Sequence, residues 1–519
     1  MTSWHPRARI WLTAVLVLTA LFWAFDLARL HAGVPDPLDD TWEYGVAARH
    51  LLSGDGFRTS VIHPPLWGLR DARLTVPILV HGPLLPLLFA PALAALGPAA
   101  LDQVAWFAAV LALLTALLLC RLGTRQAGPA VGAAAALLFT CAPLTIHAVH
   151  HDVSLVTGAF LLTLVLDLLA RDHPRHTAAA LVLGLGLLVR PELALALIGL
   201  SMLAGGTGTV TLAFGVVVVC GAWWWHNFSA TGSPFFNLSG YLLAGYSDRW
   251  PGISILRDFT LPPAQWPRLL LEQAPALSAK ARAFLPHALK RAQLAPSALT
   301  GWLAAAGVLV GVARAKTRWF VVAAFLCALV PIAVMSFTLY DSRYLVPFLP
   351  LWALSAALAA EWLWSRLPRV GTTGGWVVAL ALLMLPATAT TLAREAREAR
   401  TLRTRLAVER AALAPLVTPA ARLPRITSMG LVQPERPHPA TRRLMFSDTP
   451  DFVAWSTGRP TLWLTRDEYA KLPAAPAAPV RPATAPKKTP APPPPAPAQH
   501  DAPPARGAAG DTWFHEGPR

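Results

Sequence analysis

Apolar runs of bilayer-spanning length recur along this chain and constrain its fold more than anything else in it. They cover Ile10 to about Leu30 and residues 103–120, 129–145, 153–170, 209–225, 297–313, 319–339, 345–363 and 374–393, with two shorter runs flanking Arg190-Pro191-Glu192. A helix rises about 1.5 Å per residue and a bilayer core is about 30 Å thick, so runs near twenty residues can cross it. Inside hydrocarbon every backbone N–H and C=O must be satisfied within the segment, which leaves helices as the structure for such runs. The expected fold is therefore an all-α polytopic membrane protein with about eleven transmembrane helices. Hydrophobic residues make up 55% of the 519 and charged residues only 14%, too little polar surface for a soluble globule. A formal charge of +16 would direct a soluble chain toward nucleic acid. Here Arg and Lys sit in short segments between apolar runs, as cytosolic loops require, so no nucleic-acid partner is expected. Cys120, Cys141, Cys220 and Cys327 lie in or at the ends of apolar runs without a pairable or metal-binding spacing, and read as packing residues.

Charge sets the topology. His5, Arg7 and Arg9 hold the N-terminus in the cytosol and place residue 31 onward outside. The proline-interrupted stretch from Pro83 to Leu96 would reach only about 20 Å as a helix, so it reads as interfacial or re-entrant. With 103–120 as the second full span, Arg121 and Arg125 fall in the cytosol and Asp152 emerges on the same face as Asp39 and Asp40. Counting 83–96 as a span would put those arginines outside, against the positive-inside rule. The scheme continues with Arg171, Arg175, Arg314, Lys316, Arg318, Arg366 and Arg369 inside, Arg190 and Arg343 outside, and the C-terminus extracytoplasmic, in a plasma (inner) membrane. Gly205 to Gly208 reads as a tight cytosolic turn. The expected transmembrane domain covers 1–393, with external loops of about 31–102 and 226–296. Residues 394–470 are expected to form a small extracytoplasmic α/β appendage, and the Pro/Ala-rich 471–519 a disordered tail.

The first external loop, DDTWEYGVAARHLLSGDGF from Asp39 to Phe57, carries adjacent carboxylates ahead of a short helix with Val46, Ala47, Leu51 and Leu52 on its apolar side, closing on Gly54 and Gly56. Asp39 and Asp40, with Glu43, can deprotonate an acceptor hydroxyl or amine, or hold a divalent cation against a phosphate. They can equally serve as a solvated acidic N-cap. Asp152 lies between two apolar runs, where a carboxylate is costly unless it serves a polar cavity; Asp40 and Asp152 are the candidate ligands for a metal ion. Arg190, in LLVRPE, can clamp a phosphate or merely pair with Glu192. Arg343 and Tyr344, in YDSRYLVPFLP, offer the same donor chemistry or simple snorkelling, and His81, in VHGPLLP, can meet the same headgroup. His150 and His151 are adjacent and can act as ligands, but read as interfacial histidines.

Taken in order, DDTWEYGVAARHLLSGDGF, VHGPLLPLLFAPALAALG, CAPLTIHAVHHDVSL, GLGLLVRPE, WWWHNFSATGSPFF and SRYLVPFLPLWALSAA resemble the bacterial members of the protein O-mannosyltransferase and lipid A aminoarabinose transferase group, integral-membrane glycosyltransferases of the C-type (GT-C) fold. FSDTPDFVAWSTGRPTLWL looks like the extracytoplasmic tail of many of them, so the resemblance covers about residues 1–465. It implies an inverting transfer of a hexosyl or pentosyl group from a polyprenyl-phosphate carrier to a lipid, glycan or protein acceptor outside the cytosol, among membrane lipids. By motif position Asp39 or Asp40 matches the catalytic carboxylate of the first loop, and Asp152 the second-loop acid that supports the acceptor or a metal. Arg190 and Arg343 are placed by position and charge to contact the lipid phosphate. The family's first loop often has Asp-Glu where this chain has Asp-Asp, so Asp39, Asp40 and Glu43 all stay open as the base. A lipid-linked sugar transporter or flippase is the alternative; it calls for polar residues near mid-membrane and two related halves, whereas the candidate charges here gather at one face. A polysaccharide polymerase or ligase would share the carrier chemistry on different loops.

Overall fold

In a computed structural model the described residues are 6–30, 40–245, most of 247–413, and short stretches between 426 and 463. Asp39 and the tail 471–519 lie outside them. The chain opens with Pro6–Leu30 (α1), then Thr41–Leu52 (α2) and Leu84–Leu96 (α3) in the first loop. Val104–Ala127 (α4) and Pro129–Thr140 (α5) form a hairpin, followed by Pro143–His151 (α6), Val153–Leu169 (α7), His176–Leu187 (α8) and Leu197–Thr231 (α9). A second loop carries Trp266–Glu272 (α10) and Ala274–Leu294 (α11), and the chain continues through Ala298–Ala313 (α12), Arg318–Met335 (α13), Leu349–Ser365 (α14) and Gly375–Leu413 (α15).

Small residues decide which helices are central. α5 is almost wholly buried because Gly132 and Ala133 to Ala136 let α1, α4 and α14 close around it. A Cβ on Gly132 would collide with the Cys120 carbonyl, so the α4–α5 hairpin is in backbone contact. Gly307 of α12 approaches the Ser355 backbone of α14 in the same way. On the outside, Val210, Phe214, Val218 and Trp225 of α9 point away from the protein, with Phe214 and Trp225 each 69% exposed, a band suited to lipid.

Among the described residues four helices are long and apolar enough to cross a membrane, and up to six if each bent pair is one span; α3, α7, α8, α13 and part of α1 are apolar but shorter. Length and composition alone thus do not reproduce the expected count of about eleven. The path between α8 and α9 is informative. Ala180 meets Gly215 and Gly184 meets Val219, so α8 and the later part of α9 run parallel. The intervening chain must reverse twice, at the Arg190 turn and at Gly205, whose φ of 68° breaks α9 where the sequence suggests a tight turn.

Charges separate along the bundle. Asp167, fully buried near the C-terminus of α7, pairs with Arg121, Arg125 and Arg171. Asp152 stands at the opposite end of the 17-residue α7, about 22 Å away by helical rise.

The segment between α2 and α3 and the one that follows α9 share a core of their own. Ile62, Leu66, Val76 and Leu79 pack with Phe236, Leu238, Tyr241 and Trp250, and Leu238 N–H donates to the Leu79 carbonyl at 2.9 Å. Arg58–Thr59 (β1) pairs antiparallel with Val76–Pro77 (β3), and Val61–Ile62 (β2) lies between them in sequence. Further on come Ile426–Thr427 (β4), Gly430–Leu431 (β5), Met445–Ser447 (β6) and Thr461–Trp463 (β7). β7 pairs parallel with both β2 and β6, so C-terminal strands extend the first loop. α15 runs through residue 393 without a break. α2 is enclosed: Thr41 to Ala48 are all buried, where the sequence suggests one apolar side, because α3 packs on it and Trp455 covers Gly45 and Trp42.

Candidate active site

Asp40 occupies the N-cap position of α2, yet its side chain makes no capping hydrogen bond. Glu43 and Tyr44 follow at the i+3 and i+4 spacing that puts all three on one helix face. That face meets His81. Glu43 Oε2 lies 3.2 Å from His81 Nε2 and 3.7 Å from His63 Nε2, while Tyr44 Oη is 3.4 Å from His81 Nδ1. Burial pushes the Glu43 pKa up, but the hydrogen bonds and charges of His63 and His81 outweigh it and bring it down to about 2. Burial in turn lowers the His81 pKa, and Asp40 and Glu43 reverse this and raise it. Glu43 is thus held as a buried anion between two rings.

His81 is delivered by a close backbone contact. Leu84 N–H donates to the Leu188 carbonyl, and a Cβ on Gly82 would overlap that same carbonyl, so only glycine permits the loop to lie on the end of α8. Two residues later the chain presents Arg190.

Asp152 sits at the corner between α6 and α7 and divides its carboxylate between two jobs. Oδ1 caps α7, accepting from Ser154 N–H at 3.1 Å, from Leu155 N–H at 3.3 Å and from the Ser154 hydroxyl. Oδ2 accepts from Arg190 Nη2 at 2.7 Å. The same Nη2 is 3.9 Å from Asp40 Oδ2, and Arg190 Nη1 is 3.3 Å from Glu192. Burial raises the Asp152 pKa, but the charges of Arg190 and Arg343 and the Ser154 and Arg190 hydrogen bonds bring it below the ordinary value. Tyr344 completes the group, with the Arg190 guanidinium 5.6 Å and the Arg343 guanidinium 5.3 Å from its ring centre.

The residues singled out in the sequence therefore converge: Asp40, Glu43, His81, Asp152, Arg190, Arg343 and Tyr344 come together from five separate segments, while Asp39 lies outside the described residues. Of Asp40, Glu43 and Asp152, Asp40 is the most accessible, its side chain 24% exposed against 3% and 7%. A divalent ion shared by Asp40 and Asp152 does not fit this arrangement. Both Asp152 oxygens are engaged, and a guanidinium already bridges the two acids. Sequence reasoning missed His63, whose partner lies in α2, and it missed what the histidines of α6 do. His150 is buried and paired at 2.7 Å with Asp26 of α1, and His147 and His151 face Glu395 of α15.

No protein-family model matches the chain, and no curated protein matches it. By structure it is similar to ArnT from Cupriavidus metallidurans bound to undecaprenyl phosphate, a lipid A aminoarabinose transferase, at 15% identity and a TM-score of 0.50 over 87% of this chain and 85% of that one. It is also similar to the oligosaccharyltransferase of Archaeoglobus fulgidus. The form solved with zinc and sulfate gives 16% identity and a TM-score of 0.51 over 88% of this chain and 62% of that one. The form tethered to an acceptor peptide containing the NVT sequon gives 14% and 0.53 over 88% and 64%. The chain thus spans a little under two thirds of the archaeal protein. The fold is that of the GT-C membrane glycosyltransferases.

Proposed function

We propose that this chain is an integral-membrane glycosyltransferase that moves a sugar from a polyprenyl-phosphate carrier to an acceptor hydroxyl or amine on the extracytoplasmic side, with inversion at the anomeric carbon. The reading rests on one observation above the rest: Asp40 and Asp152, from loops far apart in sequence, meet one buried arginine at a single end of the bundle. ArnT binds undecaprenyl phosphate on the same fold, which supports a lipid phosphate as the ligand of Arg190.

Asp40 is the base. It is the most accessible of the three carboxylates, it caps no helix, and it is not enclosed between histidines as Glu43 is. It takes the acceptor proton while the acceptor atom forms its bond to the anomeric carbon and the bond from that carbon to the phosphate oxygen breaks. The departing phosphate carries the electron pair and is met by Arg190 and Arg343, fixed before the reaction by Asp152, Glu192 and Tyr344. Asp152 orients Arg190. The sugar leaves on a phosphate that is already a good leaving group, so positioning and electrostatics suffice and no step passes through a metal at this site. Polar groups gathered at one end, rather than at mid-bundle, disfavour the transporter alternative.

The test is transfer from a radiolabelled polyprenyl-phosphate sugar by purified protein in liposomes supplied with envelope acceptors. Asp40→Asn is expected to abolish transfer while the protein still binds polyprenyl phosphate and elutes as a folded species; normal turnover by that variant overturns the assignment.

A further inference from the structure

Outside the candidate active site, the C-terminal half of α6 faces α15 across a second cluster. His147 and His151 lie one helical turn apart on α6, and Glu395 and Glu398 lie one turn apart on α15. One ligand atom from each of the four falls within 4.8 Å of every other. Glu395 is 1% exposed and directs one oxygen at each ring, Oε1 to His147 Nδ1 at 3.3 Å and Oε2 to His151 Nε2 at 2.9 Å. Arg394 pairs with both carboxylates, with Glu395 at 3.3 Å and with Glu398 at 3.7 Å.

We infer that these four residues form a closed site for a divalent transition metal of the zinc class. The donor set is two imidazoles and two carboxylates, which suits zinc and not the all-oxygen preference of magnesium or calcium. The spacing fits as well. Bonds of about 2.0–2.1 Å in a tetrahedron put neighbouring ligand atoms about 3.3 Å apart, close to the separations already present between Glu395 and its two histidines. A buried carboxylate needs compensating charge, and a metal supplies it without protonating either ring. Arg394 provides the outer hydrogen bonding that orients metal-bound carboxylates. His147, 30% exposed, and Glu398, 39% exposed, leave a path for the ion to enter.

Four protein ligands leave no open coordination position, so the site is structural. It fastens α15 to α6 directly beside Asp152, and so fixes the corner on which Arg190 depends. This assignment stands apart from the glycosyltransferase reading, because metal content is measured without any transfer assay.

The experiment uses the full-length protein in detergent micelles, incubated with zinc sulfate, desalted and analysed by inductively coupled plasma mass spectrometry. The expected result is about one zinc per chain, and the visible spectrum of a four-coordinate ion when cobalt(II) replaces it. His147→Ala with His151→Ala is expected to lower zinc content at least tenfold, and Glu398→Gln to weaken zinc affinity by about tenfold while leaving the core intact. Asp40→Asn and Asp152→Asn are expected to retain zinc like the parent. Absence of retained zinc in the parent protein overturns the site. So does unchanged affinity in Glu398→Gln, or loss of zinc in Asp40→Asn.

Discussion

Replacing Arg190 with methionine removes one guanidinium that three carboxylates share and leaves an apolar stem of similar length. Asp152, 6% exposed, then loses its 2.7 Å charge-assisted bond and stays buried with only the charge of Arg343 and the donors at the start of α7 to offset its own. Removing one partner of a buried ion pair costs about 3–5 kcal/mol. Asp152→Asn is gentler, at about 1–3 kcal/mol, because asparagine caps α7 as aspartate does and Arg190 keeps Glu192 at 3.3 Å. If the two side chains act as a unit, the double variant Arg190→Met with Asp152→Asn falls short of the summed single losses by about 2 kcal/mol. The assay is denaturant unfolding in micelles at pH 7. A second signature is the pH dependence of the Arg190→Met penalty. In the parent, Asp152 has a depressed pKa, so its contribution is present above the unfolded value of about 3.9 and is lost as pH falls. Without the charge and hydrogen bond of Arg190, burial weighs more heavily, so Asp152 takes up its proton at a higher pH in the variant than in the parent and protonation relieves the variant first on acidification. The gap between parent and variant is therefore expected to narrow from pH 7 to pH 4. Additivity of the two substitutions within about 0.5 kcal/mol, together with a pH-independent gap, would refute the pairing.

Other consequences concern the surroundings of this pair. Glu43, with a pKa lowered from 4.5 to about 2 by His63 and His81, contributes stability above pH 4.5 that is lost as pH falls toward 2; Glu43→Gln removes that acid-sensitive component, which parallel unfolding curves at pH 7 and pH 3 will register. Gly82→Ala drives a methyl into the Leu188 carbonyl and is expected to cost about 1–3 kcal/mol while displacing His81, read as reduced transfer together with a lower unfolding midpoint. Trp455→Ala removes the ring stacked 4.0 Å from the Arg49 guanidinium and packed on Gly45, so limited proteolysis beyond residue 413 is expected to accelerate; an unchanged digestion pattern contradicts the docking.

The class of fold was legible because apolar runs and arginine clusters answer to bilayer thickness and charge, which act locally along the sequence. Asp152 and Arg190 stood out for the same reason, since a charge flanked by apolar helices is expensive unless it has a partner. The identity of that partner was not legible. The ladder from Asp152 to Arg190 to Asp40 joins residues 38 and 150 positions apart, and no spacing rule reaches so far. Glu395 was hidden in AREAREAR, which reads as a solvated charged helix until α15 is seen against α6. The parallel pairing of Thr461–Trp463 with Val61–Ile62 escaped notice because two-residue and three-residue strands carry no readable alternation. Asp-Val-Ser at 152–154 is a helix-start signal, and it shows that a residue can cap a helix with one oxygen and serve a site with the other.

The central claim is that Asp40 drives sugar transfer from a lipid phosphate held at Arg190. The most direct measurement places parent protein, Asp40→Asn and Arg190→Met in liposomes with a radiolabelled polyprenyl-phosphate sugar, and follows both carrier binding and label passing to acceptor. The account predicts binding and transfer for the parent, binding without transfer for Asp40→Asn, and weakened binding for Arg190→Met. Equal transfer by parent and Asp40→Asn, or equal carrier binding by parent and Arg190→Met, would contradict it.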